Sequence, residues 1–223
     1  MRFLLLAALL AMPPADAGGV AIPATKMNRM VLNAPLVQAA GRGDVAAIRL
    51  LLARGASPNA VLEGGRSALT AAALGDHVAA ARVLIDAGAD PDPQDQAYNN
   101  ALLVSGETGS VAMLREVLRA NPDLTRTNRF GGTALIPAAD RGHTEYVREI
   151  LKTGINVNHV NNLGWTALLE AVILGDGGPR YTEIVRLLLG AGADPTIADR
   201  DGITALEHAK KRGYTAMMNL FKP

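Results

Sequence analysis

Apolar positions along most of this chain come in paired bursts. In one pair the spacing predicts a short helix over Thr133 to Arg141, followed by a longer one over Thr144 to Thr153. Helices this brief are marginal alone, so the pattern predicts units that stack and share a continuous buried seam. The bursts are periodic. Ser67-Ala68-Leu69, Asn100-Ala101-Leu102, Thr133-Ala134-Leu135 and Thr166-Ala167-Leu168 recur at one constant interval, and a weaker copy, Ala34-Pro35-Leu36, lies a single interval before the first. A last copy, Thr204-Ala205-Leu206, comes later than the interval counted from Thr166 would place it. The extra residues fit at Gly177 to Tyr181, between two helices, because Thr182 to Leu189 resumes the pattern written earlier over His143 to Leu151.

Punctuation agrees with the period. Gly55, Gly88, Gly154 and Gly192 follow the second apolar run, where a left-handed residue closes a helix. Extended stretches come next, such as Ala56 to Asn59 and Ala193 to Thr196, and then turn segments at Asn128 to Gly132, Asn161 to Trp165 and Asp199 to Ile203. The third unit departs, with Asn121 at the helix stop and Tyr98 at the turn glycine. Asn tolerates a left-handed backbone, whereas Tyr is not expected to. Pro137 falls inside the first helix of the fourth unit, near enough to its start to be accommodated.

Two helices and a projecting hairpin per period, with the wording Gly-Gly-Thr-Ala-Leu at 131–135, Gly-Trp-Thr-Ala-Leu at 164–168, Gly-His-Thr-Glu-Tyr-Val at 142–147 and Gly-Ala-Asp-Pro at 192–195, resemble the ankyrin repeat. The resemblance covers about Asn33 to Pro223. It implies an all-α solenoid of six helix-turn-helix units with hairpin-like loops, at about 33–60, 61–92, 93–124, 125–158, 159–196 and 197–223, the end units acting as caps. The family's Thr-Pro-Leu-His opening is altered, since Ala replaces Pro in every internal copy and the His is absent. The usual Thr-to-His hydrogen-bond network therefore has no basis here.

Composition narrows the function. An apolar fraction of 49% supports a folded body, and an aromatic fraction of 4% suits closely stacked small helices. Twenty-two basic against 21 acidic residues argue against nucleic acid or an anionic membrane as partner. The absence of cysteine removes disulfides, thiolate metal sites and a lipid-attachment residue. At the start, Arg2, an apolar run from Phe3 to Met12 and the small residues of Ala15-Asp16-Ala17 predict a signal peptide over 1–17, cleaved to leave Gly18, with 18–32 as a flexible lead-in. An uncleaved anchor or a misassigned start are the alternatives. Export to a bacterial periplasm is the expectation, with secretion beyond the cell as the alternative.

No chemistry stands out. His77, His143, His159 and His208 lack helical metal-pair spacing, and His77 and His143 read as helix-start contacts. Asp44, Asp76 and Asp140 read as capping or solvated charges rather than a carboxylate pair, and Lys210-Lys211-Arg212 as a complement to a helix dipole. Gly64-Gly65 and Gly177-Gly178-Pro179 lack the lysine and the preceding strand of a phosphate loop. The expectation is no catalytic residue, no metal and no cofactor.

The resemblance assigns recognition to hairpin tips and the exposed ends of the first helices. Hairpin slots hold Arg66, Tyr98, Asn99, Arg129, Phe130, Asn162, Leu163, Trp165 and Arg200. Helix slots hold Arg42, Leu74, Glu107, Thr108, Asp140, Arg141, Ile173, Leu174, Lys211 and Arg212. Aromatic and arginine side chains are what binding hot spots favour. Trp165, the only tryptophan, is expected to point away from the helical core, either as an anchor or packed with Phe130 on adjacent hairpins. Arg180 and Tyr181 in the insertion are expected on a protrusion. The implied function is a protein-binding module, monomeric when unbound, that inhibits, neutralises or protects one exported protein partner, or alternatively binds a host protein.

Overall fold

The computed structural model describes residues 24–222; the proposed signal peptide and its cleavage point lie outside them. Among the described residues the chain forms twelve α-helices and a closing 3₁₀ turn, Asn219–Phe221. They pair as α1 (Ala24–Gly41) with α2 (Val45–Ala53), α3 (Ala68–Leu74) with α4 (Val78–Asp86), and α5 (Ala101–Thr108) with α6 (Val111–Leu118). Then follow α7 (Leu135–Asp140) with α8 (Thr144–Ile150), α9 (Ala167–Ile173) with α10 (Pro179–Gly190), and α11 (Ala205–Arg212) with α12 (Thr215–Met218). Odd-numbered helices pack in one row from α1 to α11, even-numbered ones in a second row from α2 to α12. The predicted solenoid of six helix pairs is present. The loops between units contain only the isolated bridges Val61 to Ser67 and Ala198 to Thr204, with no strand among the described residues.

Two boundaries differ from the expectation. Residues 24–32, assigned to a flexible lead-in, are helical, because α1 continues back from the first repeat to Ala24 with Pro35 inside it. The insertion at Gly177 to Tyr181 is not a protrusion. Gly178 precedes α10, Pro179 takes its first turn, where a missing N–H costs nothing, and the helix extends to 12 residues.

Helix starts show why the signal tripeptide recurs. Ser67, Asn100, Thr166 and Thr204 each accept, on their side chains, the backbone N–H three residues on. Their carbonyls accept from Ala71, Val104, Glu170 and His208. In the fourth unit that register is Pro137, which has no N–H. Ile136 N instead donates to the Thr133 carbonyl at 3.1 Å, and the buried Thr133 hydroxyl is left without a partner.

The hairpins rest on one device repeated four times. Asp95, Asn128, Asn161 and Asp199 each accept two backbone N–H groups, two and four residues on, at 2.9–3.0 Å. The tip this forces has positive φ in the third residue after the acceptor. Gly131 and Gly164 supply it without cost, but Tyr98 also adopts it, at φ 60°, contrary to expectation. Its backbone is held by Tyr98 N donating to Asp95 O at 2.8 Å and Gln94 Nε2 donating to Tyr98 O at 2.7 Å. Such a conformation costs roughly 1–2 kcal/mol in an L-residue. Tyr98→Gly is therefore expected to raise stability by about 0.5–1 kcal/mol after the added unfolded-state entropy, checked by urea unfolding. At the helix stops, Asn121 stands in at φ 52° as expected, while Gly154 does not turn left-handed. There Thr153 Oγ1 donates to Ile150 O at 2.6 Å and accepts from Ile155 N at 3.3 Å.

Units are tied across their helix layer. His77 and His143 do more than start their helices: each Nε2 donates to a carbonyl ending the previous unit's first helix, Gly41 at 3.2 Å and Glu107 at 3.1 Å. Tyr181 and Tyr214 fill the same slot, donating to Asp140 O at 2.8 Å and Gly175 O at 3.0 Å. In the third unit the slot is Ser110, whose hydroxyl caps its own α6 instead. On the second helices, Arg82 reaches Glu116 at 2.6 Å, Arg119 reaches Asp86 at 2.7 Å, Arg115 reaches Glu149 at 3.5 Å and Arg148 reaches Glu183 at 3.0 Å. Arg82, with Arg119, holds the buried Glu116 carboxyl below the usual range.

Candidate binding face

The predicted recognition residues mostly do reach solvent. Among hairpin slots, Arg66, Tyr98, Arg129, Phe130, Asn162, Leu163 and Arg200 are exposed and Asn99 is half-buried. Among helix slots, Arg42, Leu74, Glu107, Thr108, Arg141, Leu174, Lys211 and Arg212 are exposed. Three assignments are corrected. Trp165 is half-buried and packs against the hydrophobic core, so it does not point away from it. Ile173 likewise is half-buried against the core. Tyr181 is buried, its hydroxyl spent on the Asp140 carbonyl, whereas Arg180 of the insertion is exposed, 5.0 Å over the Tyr181 ring.

Three exposed apolar residues sit on consecutive tips. Tyr98 is 57% exposed, Phe130 54% and Leu163 51%, on the hairpins of the third, fourth and fifth units. Arg129 lies 4.6 Å over the Phe130 ring, which presents an aromatic face backed by a cation. The Asn162 N–H donates to Phe130 O at 2.9 Å, fixing the fourth tip to the fifth.

Behind these tips, α7, α9 and their hairpins enclose a cleft of about 250 Å³. Ile136, Pro137, Leu163 and Leu174 form apolar walls, while Glu107 and Arg141, paired at 2.7 Å, stand beside it. Among the described residues the least exposed acid is Glu170, at 5%, one turn into α9. Its Oε1 accepts from Asn161 Nδ2 at 2.7 Å. Burial, then the charge of Asp140, push its carboxyl up to about 7, against the one opposing hydrogen bond from Asn161. Burial also raises Asp140, opposed by Arg141 and His143. Asp140 is half-buried and lines the same cleft as Glu170, so the two carboxyls share it rather than Asp140 standing alone in solvent.

Glu170 is absent from the residues that sequence singles out. The available signal was register: the slot holds Ala71, Val104 and Pro137 in earlier units, then Glu170 and His208. Each of the last two lies at the same offset after the hairpin acceptor and bonds to it, His208 Nε2 reaching Asp199 Oδ2 at 2.7 Å. Among the described residues, no group of three or more His, Asp or Glu is placed to hold a metal, and no helix is long and apolar enough to cross a membrane.

Comparison with known proteins decides the family. The profile described as ankyrin repeats (3 copies) matches residues 101–199, and that described as ankyrin repeats (many copies) matches residues 36–85. An ankyrin repeat domain from Acinetobacter baumannii AYE is 49% identical, with a TM-score of 0.81, over 83% of this chain and 95% of that one. The chain belongs to the ankyrin-repeat family. This ankyrin-repeat chain is also similar to the ankyrin repeat protein EF0377, at 36% identity and a TM-score of 0.79 over 83% of this chain and 94% of that one. The ankyrin repeat domain of Bcl-3, a member of the IkappaB family, is 26% identical with a TM-score of 0.72, over 82% of each chain. In Escherichia coli (strain K12), YahD, named as an ankyrin repeat protein, is 45% identical over 51 residues, 23% of this chain and a quarter of that protein. Ankyrin-repeat domains are generally protein-binding modules and the family is typically non-enzymatic.

Proposed function

We propose that this ankyrin-repeat protein is exported to a bacterial periplasm, where it binds one exported protein and inhibits, neutralises or protects it. The observation that carries the binding face is the row Tyr98, Phe130 and Leu163, large apolar side chains exposed on three successive tips. Exposed apolar groups arranged contiguously mark interaction surfaces. Tyr98 adds weight, since its left-handed backbone is a cost that a glycine would remove, retained where the side chain faces solvent. The bacterial relatives and the apolar run at Phe3 to Met12 support the compartment.

The test is affinity capture from a periplasmic extract with the chain beginning at Gly18, beside a Phe130→Ala, Leu163→Ala double variant. Both side chains are exposed, so folding is expected to hold to within about 1 kcal/mol. Trp165 is avoided because its replacement would disturb packing. One stoichiometric partner, weakened about 30-fold or more in the variant, is expected for hot-spot residues. Equal capture by both proteins overturns the face. Capture only from culture medium or host extract overturns the periplasmic assignment in favour of a secreted role.

A further inference from the structure

We infer that the cleft beside Glu170 receives a cationic side chain, lysine or arginine, from the bound protein; this rests on the protein-binding reading of the same face. Only 5% of Glu170 remains exposed, and while Oε1 takes the Asn161 amide, no hydrogen bond reaches Oε2 among the described residues. The carboxylate of Asp140, on the same cleft, has neither hydrogen bond nor ion pair among them. Two acids sharing a half-enclosed site are mutually repulsive and poorly solvated, and what the arrangement lacks is a positive charge.

Among the described residues no cation pairs with either acid: Arg141 and His143 act on Asp140 only at a distance, His143 spending its Nε2 on the Glu107 carbonyl. Arg141 is committed to Glu107 at 2.7 Å, and Arg129 lies over Phe130. The walls complete the argument. Ile136, Leu163 and Leu174 line the approach to the acids, so an occupant is apolar along its length and charged at its end. A lysine or arginine has that form, a methylene stem carrying a charged head. A bare inorganic cation would leave the walls unpaired, and an anionic or neutral polar ligand would meet the carboxylates unfavourably.

The experiment uses N-acetyl-lysine methylamide as the probe, with N-acetyl-norleucine methylamide as its uncharged counterpart, titrated into the folded chain from Gly18. Carboxyl and methyl NMR signals are followed at slightly alkaline pH, where Glu170 is ionised. The lysine compound is expected to give saturable shifts at Glu170, Ile136 and Leu174 and to lower the pH midpoint of Glu170. The norleucine compound is expected to give none. Glu170→Gln, which keeps the Asn161 contact, should weaken the lysine compound at least tenfold, and Asp140→Asn should weaken it by a smaller factor. Tyr98→Ala, on a tip that does not line the cleft, should leave the acid-dependent shift of Glu170 in place. Absence of saturation, or equal shifts from both compounds, overturns the cation site whatever capture shows. Saturation by the lysine compound together with failed capture overturns the protein-binding reading and leaves the preference for cations standing.

Discussion

Glu170→Gln is expected to make the protein more stable above neutral pH and to flatten the dependence of its stability on pH. In the fold the carboxyl titrates near about 7, against an ordinary value of 4.5. Below the lower value folded and unfolded chains are both protonated there, and the group contributes no pH dependence. Between the two the folded chain retains a proton that the unfolded chain has lost, so stability falls as pH rises, and the full loss is present above about 7. That interval corresponds to about 3 kcal/mol, an upper figure because the cleft admits some water. Urea unfolding at pH 5 and pH 8 measures it. The parent is expected to lose about 2–3 kcal/mol between the two and the glutamine variant less than half of that. An unchanged slope in the variant would place the titrating group elsewhere.

Gly106→Ala is expected to destabilise, which is opposite to the usual effect of that change inside a helix. Alanine is about 1 kcal/mol better than glycine in a helix interior. Here a Cβ would lie 2.3 Å from the Ala134 carbonyl oxygen and 3.0 Å from its carbon, both backbone atoms. No side chain can rotate away, so α5 and the start of α7 must separate. Overpacking costs about 1–3 kcal/mol and at times more; a backbone contact this short lies at the upper end, so after the gain of about 1 kcal/mol the net loss is about 2 kcal/mol. Thermal unfolding is expected to show a fall in Tm of roughly 4–8 °C. A rise would mean that the two helices yield more readily than their backbone contact implies.

The architecture was legible because stacking writes itself into spacing. A Ser, Asn or Thr before Ala-Leu begins the first helix of four units, since its side chain satisfies the same N–H in each, and its phase locates both rows of helices. Positions that point one way from a hairpin were legible for the same reason, hence Phe130, Leu163 and Arg129. What spacing does not encode is the neighbour across the interface. Tyr181 carries an ordinary surface composition around it, and only the Asp140 carbonyl lying opposite explains its burial. Tyr98 failed as a glycine substitute on intrinsic preference, yet the Asp95 turn fixes the backbone before the side chain is consulted. Glu170 was hidden because its significance comes from its burial and then from Asp140 in the preceding unit, which its register alone does not reveal. The signal peptide is a reading of residues that the structure does not describe.

The substitution of Ser110 in the slot otherwise filled by His or Tyr gives the stack an uneven compliance. At four joints a ring reaches back to a carbonyl of the preceding unit; between the second and third units, the helix layer has packing and the charge pairs Arg82 with Glu116 and Arg119 with Asp86. Charge pairs weaken as ionic strength rises, while a hydrogen bond from a ring to a neutral carbonyl is less affected. Salt therefore loosens this joint more than those that also hold a ring-to-carbonyl bond, next to the unit whose tip carries Tyr98, and the face offered to a partner is set partly by the ions around it.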